Sequence, residues 1–79
     1  MRLVLYTRRG CHLCEDMLLD LELLSKQRDF SLQIVDIDTD PELVRRYGQD
    51  VPVLTDQTSR LICQHRLDST AVTQFIANQ

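Results

Sequence analysis

The sequence predicts one α/β domain whose elements follow in the order β-α-β-α-β-β-α. Three observations support this: 79 residues suffice for a single domain, short apolar runs have the length of strands, and segments of helical periodicity lie between them. Because 43% of the residues are hydrophobic and 27% are charged, the composition is that of a folded domain and not of a disordered chain. We expect the domain to cover residues 1–79.

The first part of the chain predicts a strand, a helix and a second strand. Residues 3–6 are a continuous apolar run, typical of a strand covered on both faces. From Cys11 onward the apolar residues follow helical spacing and form one stripe. The stripe comprises Cys14, Met17, Leu18, Leu21 and Leu24, and we expect Leu19 and Leu23 to widen it. Residues 30–37 predict the second strand, which should run parallel to the first after a right-handed crossover.

A helix start follows the second strand. Asp40 can cap a helix with Pro41 at its first position, or Thr39 and Glu42 can form a capping box. Gly48 is a helix-stopping residue at the other end. The sequence therefore predicts a short helix between these signals.

The last third of the chain predicts a hairpin and a final helix. Residues 51–54 suit a strand opened by proline, residues 56–59 a turn, and residues 61–63 a fourth strand antiparallel to the third. Asp68 is placed to cap the last helix. The expected buried face of that helix comprises Val72, Phe75 and Ile76.

Charge and hydropathy exclude several functions. Nine Lys and Arg against twelve Asp and Glu give a net charge of −3 without a basic block, so we expect no nucleic-acid partner. No apolar run approaches the ~20 residues of a membrane span, and the N-terminal apolar run is too short for a signal peptide. We therefore expect a cytoplasmic monomer without membrane association. Three cysteines, an odd number, argue against a secreted disulfide scaffold.

The motif that carries chemistry is the CxxC formed by Cys11 and Cys14 between the first strand and the first helix. Unpaired N–H groups and the helix dipole at a helix N-terminus favour a thiolate, which is the reactive form of cysteine. The nearby Arg8 and Arg9 favour it as well, and His12 does so when protonated. Glu15 and Asp16 in the first turn of the helix oppose it, so the sequence leaves the net effect of these charges on the Cys11 pKa open. We expect Cys11 to attack a disulfide and the more buried Cys14 to resolve the product.

With these residues the whole chain resembles a small glutaredoxin of the thioredoxin-fold superfamily. The resemblance rests on the element order, the CxxC motif and the later Val51-Pro52 pair. It implies a thioredoxin-like fold: a four-stranded mixed sheet in the order 2-1-3-4 with helices on both faces. It also implies that Pro52 is cis and faces the CxxC, where the N–H and C=O of Val51 would pair with a bound peptide or thiol substrate.

The function implied by the resemblance is thiol–disulfide exchange. The substrates would be disulfide-containing proteins or glutathione mixed disulfides, with a low-molecular-weight thiol as partner, glutathione as a possible cosubstrate and no cofactor or metal. The expected substrate-binding residues are Arg8, His12, Leu13, Val51 and Pro52. The sequence differs from the usual glutaredoxin pattern inside the CxxC, where His12-Leu13 replace proline and an aromatic residue, and after the fourth strand, where residues 64–69 contain no Gly-Gly pair.

Two other functions remain open. Cys11, Cys14, Cys63 and His65 make a Cys₃His set, which is a legitimate zinc combination. We favour Cys63 as a small packing residue and His65 as a surface residue. The second alternative is a non-catalytic binding module that uses the groove between the CxxC and Pro52.

Overall fold

The computed structural model describes residues 1–78. The predicted order of strands and helices is confirmed. The strands are β1 (Arg2–Thr7), β2 (Ser31–Asp36), β3 (Val53–Asp56) and β4 (Leu61–Gln64), and the helices are α1 (His12–Ser25), α2 (Pro41–Tyr47) and α3 (Ser69–Ala77). A short 3-10 helix, Ile37–Thr39, connects β2 to α2 and was not predicted.

The four strands form one mixed sheet in the order β2-β1-β3-β4, as expected. β1 pairs parallel with β2 and antiparallel with β3, and β3 pairs antiparallel with β4. Tyr6 lies beside Val53, and Val53 lies beside Gln64. The end of β1, the start of β3 and the end of β4 therefore meet at one end of the sheet. The CxxC, the Val51-Pro52 pair and the β4–α3 loop all leave the sheet there.

The main core lies between one face of the sheet and helices α1 and α3. Its buried side chains are Leu3, Leu5, Met17, Leu21, Phe30, Leu54 and Val72. On the opposite face, the ring of Tyr6 stacks on that of Tyr47 in α2 at 4.4 Å between centroids. Since neighbouring residues of a strand point to opposite faces, α2 covers the face that α1 does not. The prediction of helices on both faces is confirmed.

The width predicted for the apolar stripe of α1 is wrong. Leu19 and Leu23 are 60% and 61% exposed, whereas Cys14, Met17 and Leu21 are buried. Cys14, Met17 and Leu21 follow one another at intervals of three and four residues and therefore lie on the helix side that faces the sheet. Leu19 and Leu23 lie on a different side of the helix, which points away from the sheet. They form an exposed apolar pair on the outer side of α1.

The ends of the helices follow local sequence signals. Of the two caps proposed for α2, the structure has Asp40, whose Oδ1 accepts the Glu42 N–H at 2.9 Å with Pro41 at the first helical position. Gly48 follows the helix as predicted, but in a right-handed conformation (φ −52°). A Cβ there would lie 2.5 Å from the Val44 carbonyl oxygen, so close approach, not a left-handed turn, requires glycine.

Asp68 caps α3, as expected, by accepting the Ala71 N–H at 3.0 Å. Within α3, Val72 is fully buried, while Phe75 and Ile76 are partly buried against the core. None of the helices within residues 1–78 has the length and apolar character to cross a membrane.

Candidate active site

Cys11 and Cys14 are joined by a disulfide at the start of α1, with their Cα atoms 5.2 Å apart. Cys11 is the N-cap residue, and its Sγ accepts the backbone N–H of Cys14 at 3.1 Å. Cys14 is 3% exposed, whereas Cys11 is only half-buried. The difference in burial predicted for the two cysteines is present. The Cys11 sulfur is therefore both the more accessible of the two and the one that accepts a hydrogen bond from a backbone N–H of α1.

Gly10 sets the turn that brings Cys11 to the helix start. Its φ of +71° lies in the left-handed region, which residues with a side chain rarely adopt. A Cβ at this position would contact nothing within 4 Å. The backbone conformation, and not lack of space, therefore favours glycine before the motif.

The two residues inside the motif point outward. The His12 side chain is 95% exposed and its Nδ1 lies 3.7 Å from Glu15 Oε2. Leu13 is 40% exposed. Both side chains are thus available to a molecule that approaches the disulfide.

Arg8 is engaged in contacts within the chain. Its Nη2 and Nε donate to the two carboxylate oxygens of Asp38 at 2.7 and 3.3 Å, and its Nη1 donates to the Gly48 carbonyl oxygen at 3.2 Å. The hydrogen bond from Arg8 holds the pKa of Asp38 below its usual value. Arg8 therefore fastens the loop before the CxxC to the 3-10 helix and to the end of α2.

The Val51–Pro52 peptide bond is cis. The Val51 N–H, expected to pair with a substrate, donates instead to the Tyr47 carbonyl oxygen at 3.1 Å. Among residues 1–78, no donor is bonded to the Val51 carbonyl oxygen. A substrate could therefore be held through this carbonyl, while the N–H is occupied.

The β4–α3 loop lies at the same end of the sheet, although none of its residues is among those expected to bind substrate. The backbone N–H of His65 donates to the Pro52 carbonyl oxygen at 2.8 Å, and the side-chain Nε2 of His65 lies 3.5 Å from Asp50 Oδ1. His65 adopts φ +68°, a left-handed conformation, directly after β4. The predicted strand order already placed this loop beside Pro52 and is the signal that could have found it.

A groove of about 330 Å³ runs beside the motif, between α1 and the β4–α3 loop. Its lining residues are Leu13, Asp16, Met17, Asp20, His65, Arg66 and Leu67. Leu13, which lies inside the CxxC, joins the groove to the disulfide. The candidate site therefore consists of a cysteine pair and an adjoining polar groove with an apolar floor.

The residues of the zinc alternative do not assemble. Within the part of the chain that the structure describes, no group of three or more His, Cys, Asp or Glu side chains is arranged to hold a metal ion. Cys63 pairs with Leu54 across the β3–β4 ladder and packs, partly buried, against the core. Its packing role agrees with the interpretation that the sequence favoured.

Cys63 is expected to react more slowly than Cys11 in the reduced, folded protein. Burial raises the pKa of the Cys63 thiol, which lowers its thiolate fraction near neutral pH. Iodoacetamide labelling followed by peptide mass spectrometry measures both rates. The unfolded protein is the control, because denaturation should bring the two rates together. Equal rates in the folded protein would contradict this view of Cys63.

A parallel β-α-β unit, an antiparallel hairpin and a final helix, with a CxxC at the first helix start, define a thioredoxin-fold protein. The chain belongs to the glutaredoxin-like domain family, whose model matches residues 2–77. A search of curated proteins found no match.

Solved structures agree with this assignment. Protein Ne2328 from Nitrosomonas europaea is 38% identical with a TM-score of 0.84, over 95% of this chain and 89% of that one. Protein XcR50 from X. campestris is 34% identical with a TM-score of 0.73, over 98% and 97% of the two chains. A mutant thioredoxin from Halobacterium salinarum is 23% identical with a TM-score of 0.64, over 98% and 72%, and shows the fold alone.

Proposed function

We propose that the protein is a thiol–disulfide oxidoreductase that uses Cys11 and Cys14 as a redox-active dithiol. The observation that carries the proposal is the position of Cys11 as N-cap of α1, with its sulfur accepting the Cys14 N–H. After reduction, the same N–H and the positive end of the helix dipole would stabilise a Cys11 thiolate. Membership of the glutaredoxin-like family supports this chemistry.

The proposed reaction has two exchange steps. The Cys11 thiolate attacks one sulfur of the substrate disulfide, forms a mixed disulfide and releases the other sulfur as a thiolate that takes up a proton. Cys14 then loses its proton and attacks the Cys11 sulfur, which releases the second substrate thiol and closes the Cys11–Cys14 disulfide. The substrate gains two electrons and two protons, which the dithiol supplies. Two molecules of a low-molecular-weight thiol reduce the protein again and become a disulfide.

The substrate in this proposal is a protein disulfide or a glutathione mixed disulfide. Its backbone could donate to the Val51 carbonyl oxygen, which has no partner among residues 1–78. The exposed His12 and Leu13 would face the same molecule. Arg8 would act indirectly, since its guanidinium already binds Asp38 and Gly48.

The test mixes the reduced protein with a peptide disulfide and, separately, with a glutathionylated peptide. We expect both substrates to be reduced while Cys11 and Cys14 become linked, detected by mass spectrometry as loss of two hydrogens from the peptide that contains them. The Cys63→Ala variant is the control and should retain the reaction, because Cys63 lies in the β3–β4 ladder. If the wild-type protein exchanges with neither substrate, the proposal is overturned and the binding-module alternative gains support.

A further inference from the structure

We propose that the groove beside the CxxC is a subsite for a lysine or arginine side chain of a protein substrate. This inference deepens the proposed function and rests on it for the chemistry at Cys11. The groove is continuous with the candidate site because Leu13, two residues after Cys11, forms part of its lining. A peptide bound across the exposed Cys11 sulfur would thus extend into it.

The α1 wall of the groove carries negative charge without a partner. Asp16 and Asp20 both line the groove, and neither forms an ion pair with any residue in the 1–78 range. Four residues apart in a helix, they lie one above the other on the same side, with Cβ atoms roughly 5–6 Å apart. One ammonium or guanidinium group could therefore interact with both carboxylates.

The floor of the groove suits the stem of a long basic side chain. Leu67 is partly buried and Leu13 is 40% exposed, so both present apolar surface to the groove, whereas Met17, 1% exposed, closes its base. Lysine and arginine bury their methylene stems on apolar surface while the charged head remains at a polar rim. A volume of about 330 Å³ is at the small end of ligand pockets, and fits a side chain with adjoining backbone better than a large cofactor.

The opposite wall limits where the cation can sit. Arg66 lines the groove and forms no ion pair with the described residues, while His65 lies against Asp50. Arg66 would repel a basic head placed near the loop and direct it toward α1. The two aspartates and the arginine do not close the groove by pairing with each other, so the carboxylates stay available to a ligand.

The first arm of the test compares the reduction of peptide disulfides that differ at a single residue near the cysteine. This residue is Lys, Gln or Glu, and each is tested at every neighbouring position. At the best position, we expect kcat/KM for the Lys peptide to exceed that for the Glu peptide by roughly two- to fivefold, the size of an exposed ion pair. The Asp16→Asn/Asp20→Asn double variant should lose this preference. Glu22→Gln, which removes one negative charge from α1 outside the groove, should keep it, and the single variants Asp16→Asn and Asp20→Asn, which also remove one charge each, should weaken it.

The ratio of the two rates is the decisive readout. If removing nearby charge only altered the reactivity of Cys11, kcat/KM would change by the same factor for every peptide. Loss of the subsite would instead change the ratio of kcat/KM between the Lys and Glu peptides. Equal reduction of the Lys and Glu peptides by the wild-type protein would overturn the subsite and leave the proposed function intact.

The second arm measures binding without chemistry. The oxidised protein is titrated with fluorescent peptides in which serine replaces cysteine, and binding is followed by anisotropy. We expect tighter binding of the Lys peptide, again lost in the double aspartate variant and weakened by added salt. If this preference is present but no peptide disulfide is reduced, the subsite stands and the oxidoreductase proposal fails. If no charge preference is found, the subsite is rejected.

Discussion

Replacing Cys11 by serine is expected to abolish disulfide reduction, whereas replacing Cys14 by serine should halt the reaction at a mixed disulfide. Cys11 is the accessible sulfur of the pair, and a serine hydroxyl at this helix start cannot supply a thiolate. Cys14 is 3% exposed and reaches the substrate only through Cys11. Mass spectrometry after mixing each variant with a peptide disulfide should find no adduct on Cys11→Ser and a stable peptide adduct on Cys14→Ser.

Cys63→Ser is the matched control, since it removes a thiol from β4 and leaves the CxxC intact. It should neither form an adduct nor lose activity. A Cys14→Ser variant that still turns over glutathionylated peptide in the presence of glutathione would identify a monothiol route in which glutathione resolves the mixed disulfide. An adduct on Cys11→Ser through Cys14 would contradict the assignment of the attacking sulfur.

The succession of strands and helices, the helix caps and the cysteine pair were predictable because each depends on local patterns. Apolar runs and turn residues mark the strands, and Asp40 and Asp68 stand directly before the helices that they cap. The relative burial of Cys11 and Cys14 also follows from position on one helix. The CxxC and the Val51-Pro52 pair meet because of strand order, which the resemblance to glutaredoxins supplied.

Contacts between loops could not be predicted in the same way. Arg8 was expected to face a substrate, but its guanidinium binds Asp38, because β1 and β2 end side by side and bring the two loops together. The Val51 N–H was expected to be free, but α2 ends so that the Tyr47 carbonyl oxygen accepts it. Such pairings depend on where a loop turns, and periodicity carries no information about that.

Helical periodicity did identify the buried face of α1 but overestimated its width, and this difference gives a stability prediction. Leu21→Ala should destabilise the protein by about 2–5 kcal/mol, because Leu21 is 0% exposed and its removal leaves a cavity in the main core. Leu23→Ala should change stability by no more than about 0.5 kcal/mol, because Leu23 is 61% exposed. Urea unfolding followed by circular dichroism measures both free energies.

The two substitutions form a matched pair, since both exchange leucine for alanine in α1 and alter helix propensity by the same amount. Their difference therefore reports burial alone. For a chain of 79 residues, total stability is on the order of 4–12 kcal/mol, so Leu21→Ala should remove a large part of it and lower Tm by at least about 8 °C. A Leu23→Ala variant as unstable as Leu21→Ala would mean that the outer side of α1 is covered, and that the exposed pair of Leu19 and Leu23 is a contact surface in solution.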